Sequence, residues 1–140
     1  MRFVQRPPLF LFLVLAILFL IPELAWPETA DPVADQILAR LQGTWRCDSV
    51  TTKQRIPDVT PSNLATLETT SLFFDVANNS IHRSWKKDGI RTDEKRSFNN
   101  VRSLGAQVVA FEFKDGEVVV EFLDNDTIVF GKRIVYTRVR

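Results

Sequence analysis

The residues in this chain that could do chemistry are few, and most are arginines set among aromatics. Ile81, Arg83 and Trp85 alternate along one stretch, and Ile90, Thr92, Glu94, Arg96 and Phe98 along the next. Period-two spacing puts each set on one face of a strand. If those faces turn inward, Arg83, Glu94 and Arg96 become charges among apolar side chains, and a buried charge must be paired or serve a ligand. A fatty-acid-like guest fits these residue types: its carboxylate held by Arg83 or Arg96, Trp85 beside it, and Tyr136 donating a hydrogen bond. Two other arrangements meet the same demand. Arg83 and Arg96 could pair with Glu94, or the hairpin could be solvated on both faces.

Other chemistries lack their parts. His82 is the only histidine and Cys47 the only cysteine, too little for a nucleophilic dyad or a His/Cys metal site. Asp124-Asn125-Asp126 has the acidic opening of a calcium loop but not its Gly or distal Glu, and reads as a hairpin turn. Asn78-Asn79-Ser80 and Asn125-Asp126-Thr127 match the glycosylation triplet, which matters only in a eukaryotic source. We therefore expect no catalytic residues, no metal and no cofactor. A lone cysteine allows no intrachain disulfide, and Cys47, two residues after Trp45, is expected on the same buried face.

The frame that must position these residues begins with an export segment. Arg2 and Arg6 precede an apolar run of 13 residues from Leu9 to Ile21, and Pro22 ends it. That run suits a signal peptide and is shorter than the roughly 20 residues needed to cross a bilayer. The expectation is a signal peptide over 1–30, cleaved between Ala25 and Ala30, and a single domain over 31–140. The protein would then be periplasmic or secreted, touching a membrane only through the export segment if that stays uncleaved. The 18 Lys and Arg against 17 Asp and Glu give a formal net charge of +1. This balance carries no footprint for nucleic acid and little pull toward an anionic membrane.

Asp31-Pro32 reads as a helix start, with Val33, Ile37, Leu38 and Leu41 at helical spacing and Gly43 at the end, so a helix is expected over Pro32–Gln42. Beyond Gly43 the period changes to two. Strands are expected near 44–51, 68–76, 80–86, 90–98, 106–114, 117–123, 127–130 and 133–139, with a long loop over 52–67. Asp88-Gly89 and Asp115-Gly116 mark hairpin turns. The inward set includes Trp45, Cys47, Leu72, Phe74, Val76, Val109, Phe111, Phe113, Val118, Val120, Phe122, Ile128, Phe130, Ile134 and Tyr136. Eight short strands joined mostly by tight turns make a meander, and closing a meander removes its two edges. The expected fold is all-β: an eight-stranded antiparallel up-and-down barrel with a short N-terminal helix.

Two short motifs carry a resemblance. Gly43-Thr44-Trp45 opens the first strand after the helix, and Tyr136-Thr137-Arg138 lies in the last. The pattern resembles the lipocalin-like (calycin) barrels, in particular small exported bacterial domains. The resemblance implies a structural signature of Gly43, Trp45 and Arg138, in which the arginine packs over the indole and closes one end of the barrel, with Arg140 as a substitute. It also implies a non-enzymatic binder of a small apolar or amphiphilic molecule. The competing reading is a cell-envelope interaction module with a solid core and no ligand. Its contact surfaces would be residues 52–67 and the hairpin at Asp88-Gly89.

Overall fold

The computed structural model describes residues 31–140. The export segment and its cleavage region lie outside the described residues. In chain order the elements are α1 (Pro32–Leu41), β1 (Gly43–Cys47), α2 (Ser49–Arg55), α3 (Pro61–Glu68), β2 (Ser71–Asp75), a 3-10 turn (Val76–Asn78), β3 (Ser80–Lys87), β4 (Ile90–Ser97), β5 (Asn100–Gly105), β6 (Val108–Phe113), β7 (Gly116–Phe122), β8 (Thr127–Phe130) and β9 (Ile134–Arg138). The described residues are thus mostly antiparallel β with three α-helices.

Helix α1 starts where Asp31-Pro32 predicts. One Asp31 carboxylate oxygen accepts from the backbone N–H groups of Val33 and Ala34 at 3.1 and 3.0 Å. The other accepts from the backbone N–H and hydroxyl of Ser103 in β5 at 2.8 and 2.7 Å. These bonds hold the Asp31 carboxyl at about 2, below its ordinary 3.8. Ala34, Ile37 and Leu41 turn the buried face of α1 toward the sheet.

Two local expectations are corrected. The first strand ends at Cys47 instead of continuing to residue 51, because Asp48 caps a helix: its side chain accepts from the Thr51 backbone N–H at 3.0 Å and the Thr51 hydroxyl at 2.7 Å. The expected loop over 52–67 holds most of α2 and all but the last residue of α3. Thr60-Pro61 repeats the cap-then-proline signal of Asp31-Pro32, with the Thr60 hydroxyl accepting from the Asn63 N–H at 3.3 Å. Val76, expected in the core, lies half-buried in the 3-10 turn.

The strands form one sheet in the order β4-β3-β2-β1-β9-β8-β7-β6-β5. The expected closed eight-stranded barrel is therefore corrected to nine strands in one open sheet, whose edges are β4 and β5. The added strand, β5, falls where a connection was expected. It is an edge strand in which only Val101 and Leu104 are large and apolar, too sparse a pattern to show period two. The sheet stays open because the chain changes partners between two adjacent residues. Phe98 donates its N–H to the Asn79 carbonyl beside β3, and Asn99 donates to the Glu112 carbonyl of β6. The β3–β4 and β5–β6 hairpins leave this point separately.

On the opposite side the first and last strands pair, with Trp45 opposite Arg138 and Cys47 opposite Tyr136. The core gathers Ile37 and Leu41 of α1, Leu67 of α3, and inward side chains that include Trp45, Leu72, Phe74, Phe111, Val120, Phe122, Ile128 and Tyr136. Val118, Phe130 and Ile134 are partly buried against it.

Candidate functional site

Two arginines lie on two tryptophans, and their surroundings differ. Arg138 sits 4.2 Å from the center of the Trp45 ring. The Trp45 indole N–H donates to the Leu41 carbonyl at 2.8 Å, and Phe122 meets the ring edge-on at 6.1 Å. Arg138 donates to the Gln42 carbonyl at 3.2 Å and to the Arg40 carbonyl, and pairs with Asp126 at 3.4 Å. Gly43 adopts a φ of 117°, a left-handed conformation that favors glycine where α1 hands over to β1. Gly43, Trp45 and Arg138 thus form one structural joint at the α1 end of the sheet.

The second pair lies on β3, where Arg83 sits 4.7 Å from the center of the Trp85 ring. The registers place Arg83 opposite Leu72 on one side and Glu94 on the other, and Ile81 opposite Phe74 and Arg96. Leu72, Phe74 and Ile81 are core residues, so this is the inward face of β3; on β4 the same face is open to solvent, with Thr92 and Glu94 exposed and Arg96 half-buried. Of the side-chain nitrogens and oxygens fully removed from solvent among the described residues, the Arg83 Nε alone has no hydrogen-bond partner. No ion pair joins Arg83 to Glu94 among the described residues. An orphaned buried donor carries its full desolvation cost and asks for an acceptor.

Arg83 lines three hollows: one of about 470 Å³ against Phe73, His82, Asp93 and Lys95, and two that meet beside the core at the end of the sheet away from α1. Of these two, one is a cleft of about 590 Å³ between α3 and the β8–β9 turn, with Val59, Leu67, Phe130 and Ile134 in its walls. The other is a smaller hollow of about 50 Å³ lined by Leu72, Ile81, Arg83, Glu94, Arg96, Phe113 and Phe130. Helix α2 is fixed to this end by buried Thr52, whose hydroxyl oxygen accepts from the Val135 N–H at 3.0 Å. Thr69 extends the attachment after α3, its hydroxyl accepting from the Lys86 N–H at 2.8 Å.

The four expected ligand residues are brought together in part. Arg83 and Trp85 touch, and Arg96 shares the smaller hollow with Arg83. Neither arginine pairs with Glu94. Arg96 instead lies 4.4 Å from the Phe113 ring center and pairs with Asp115 at 2.5 Å. Tyr136 is buried in β9, with Phe130 edge-on at 6.2 Å. Burial pushes its hydroxyl well above the ordinary tyrosine range, eased by the charge of Arg83, so Tyr136 stays neutral. Burial likewise pushes the Cys47 thiol up, against the Thr52 hydroxyl, which lowers it. The α3 wall of the cleft was missed in the sequence because residues 52–67 read as loop; Thr60-Pro61 was the available signal.

Comparisons of the chain with protein-family models, curated proteins and solved structures find no match.

Proposed function

We propose that this chain is an exported, lipocalin-like, non-enzymatic binding domain for a small amphiphile with an anionic head. Its head meets Arg83 and its apolar part lies in the cleft under α3. The observation that carries this reading is the buried, unpartnered Nε of Arg83 beside a cleft walled by Val59, Leu67, Phe130 and Ile134. The cleft volume of about 590 Å³ falls within the range of small-molecule sites. Export rests on the sequence: two arginines, a 13-residue apolar run and Pro22.

A second reading, a solid-core interaction module of the cell envelope, draws on the fill of the interior, where the hollow between Leu72, Ile81, Phe113 and Phe130 holds only about 50 Å³. Titration with dodecanoate and with dodecanol, followed by tryptophan fluorescence, separates the two. The binding reading expects dodecanoate to bind more tightly than dodecanol. Arg83→Ala should weaken dodecanoate by at least about tenfold, the scale of a hydrogen bond to a charged group, and leave dodecanol little changed. Binding of neither compound would favor the solid-core module.

A further inference from the structure

The smaller hollow has its own chemistry. Leu72, Ile81, Phe113 and Phe130 form apolar walls, and Arg83 and Arg96 enter as two guanidiniums against one carboxylate, Glu94. Its volume of about 50 Å³ exceeds one water's share of liquid volume, about 30 Å³, and suits a compact oxyanion better than a hydrocarbon tail. Arg83 supplies an N–H with no acceptor. Arg96 supplies a second cation whose present partner is weakly held: the Arg96 and Asp115 side chains are 37% and 74% exposed. Exposed ion pairs are worth little, so Arg96 can exchange Asp115 for a better acceptor. Apolar walls lower the local dielectric and strengthen any guanidinium–oxyanion contact made there.

We propose that the hollow between Arg83 and Arg96 is an oxyanion site that prefers a dianionic phosphate monoester head to a carboxylate. This deepens the amphiphile reading and rests on it only for the tail. A carboxylate has two oxygens and one charge, which Arg83 can satisfy alone. A phosphate monoester carries more charge and three terminal oxygens, so it can engage both guanidiniums. Asp115 competes for Arg96 from outside, and Glu94, exposed at the edge of the hollow, opposes the anion.

Inorganic phosphate and dodecyl phosphate test this on the folded domain, with the arginine side-chain Nε–H resonances and calorimetry as readouts. Inorganic phosphate is expected to shift the Arg83 and Arg96 Nε–H signals and leave Arg138 unmoved. Dodecyl phosphate is expected to bind at least about tenfold more tightly than dodecanoate, the scale of one further charge-assisted contact. Arg96→Ala should weaken dodecyl phosphate at least about tenfold more than it weakens dodecanoate, erasing that preference, and Asp115→Asn should increase it. Because Arg96 is only half-buried and Asp115 is exposed, both variants are expected to fold, and Arg96→Lys should recover only part of the preference. Phosphate shifts without binding of either dodecyl compound would uphold the oxyanion site and overturn the amphiphile reading. Dodecanoate binding with no phosphate shift at either arginine, or with the preference intact in Arg96→Ala, would overturn the oxyanion site and spare the amphiphile reading.

Discussion

Arg138 on Trp45 and Arg83 on Trp85 are the same contact made in two parts of one sheet, at 4.2 and 4.7 Å. At the α1 end the guanidinium is used up: Arg138 reaches two backbone carbonyls and Asp126, and the ring beneath it is buried and hydrogen-bonded. At the other end the guanidinium has a buried N–H to spare, and hollows lie beside it. A saturated arginine fastens strands together. An unsaturated one leaves stability unclaimed, and the acceptor it lacks is one a ligand can bring. Stacking distance does not separate the two roles; hydrogen-bond saturation does.

The largest effect that would break this contrast lies at Trp45. Trp45→Ala removes a buried indole from the center of the core and should cost about 3–5 kcal/mol in urea unfolding. A loss below about 1 kcal/mol would mean that the α1 end is not the fastened one. Arg138→Ala should cost about 2 kcal/mol, combining the stack with the lost carbonyl bonds. Arg138→Lys should recover only a part, since an ammonium cannot span both carbonyls in the plane of the ring.

Acid sharpens the contrast in a different way. Asp31 joins α1 to β5, an edge strand of the open side. Its carboxyl is lowered from 3.8 to about 2 in the folded protein. Over that interval the unfolded chain binds the proton and the folded chain does not, so this contribution is full above 3.8 and is lost as pH falls toward 2. Amide exchange at Ser103 should therefore accelerate across that window before exchange at Arg46 or Val139, and Asp31→Ala should flatten the acid dependence of stability. Equal acceleration at both places would contradict the assignment. The smallest expected effect on stability is at Arg96: Arg96→Ala breaks one exposed pair and the contact with the Phe113 ring, and should cost about 1 kcal/mol.

Much of the frame was legible in the residues. Asp31-Pro32 marked the helix, Asp88-Gly89 marked a turn with both residues at positive φ, and alternation placed Trp45, Leu72, Phe74, Phe111 and Tyr136 inward. Helices α2 and α3 were not legible, because a segment rich in threonine and proline scores as loop or strand, and only the caps at Asp48 and Thr60 distinguish it. Strand β5 was hidden by its edge position. The opening between β4 and β5 depends on where the Phe98 and Asn99 N–H groups point, a matter of two dihedral angles that composition does not encode. At the site, period two put Arg83, Trp85, Glu94 and Arg96 on facing strands. It could not show that Arg96 takes Asp115 from another hairpin and leaves Arg83 without a partner.

The most direct test of the proposed role of Arg83 is thermal unfolding of the wild-type chain and of Arg83→Met, each with and without dodecanoate. Without ligand, the methionine variant should be as stable as wild type or more so, since a buried donor with no acceptor has been replaced by an apolar side chain of similar length. Dodecanoate should raise the Tm of wild type and leave that of Arg83→Met nearly unmoved. A methionine variant that loses several kcal/mol on its own, with dodecanoate shifting both proteins alike or neither, would contradict it and return Arg83 to a structural role like that of Arg138.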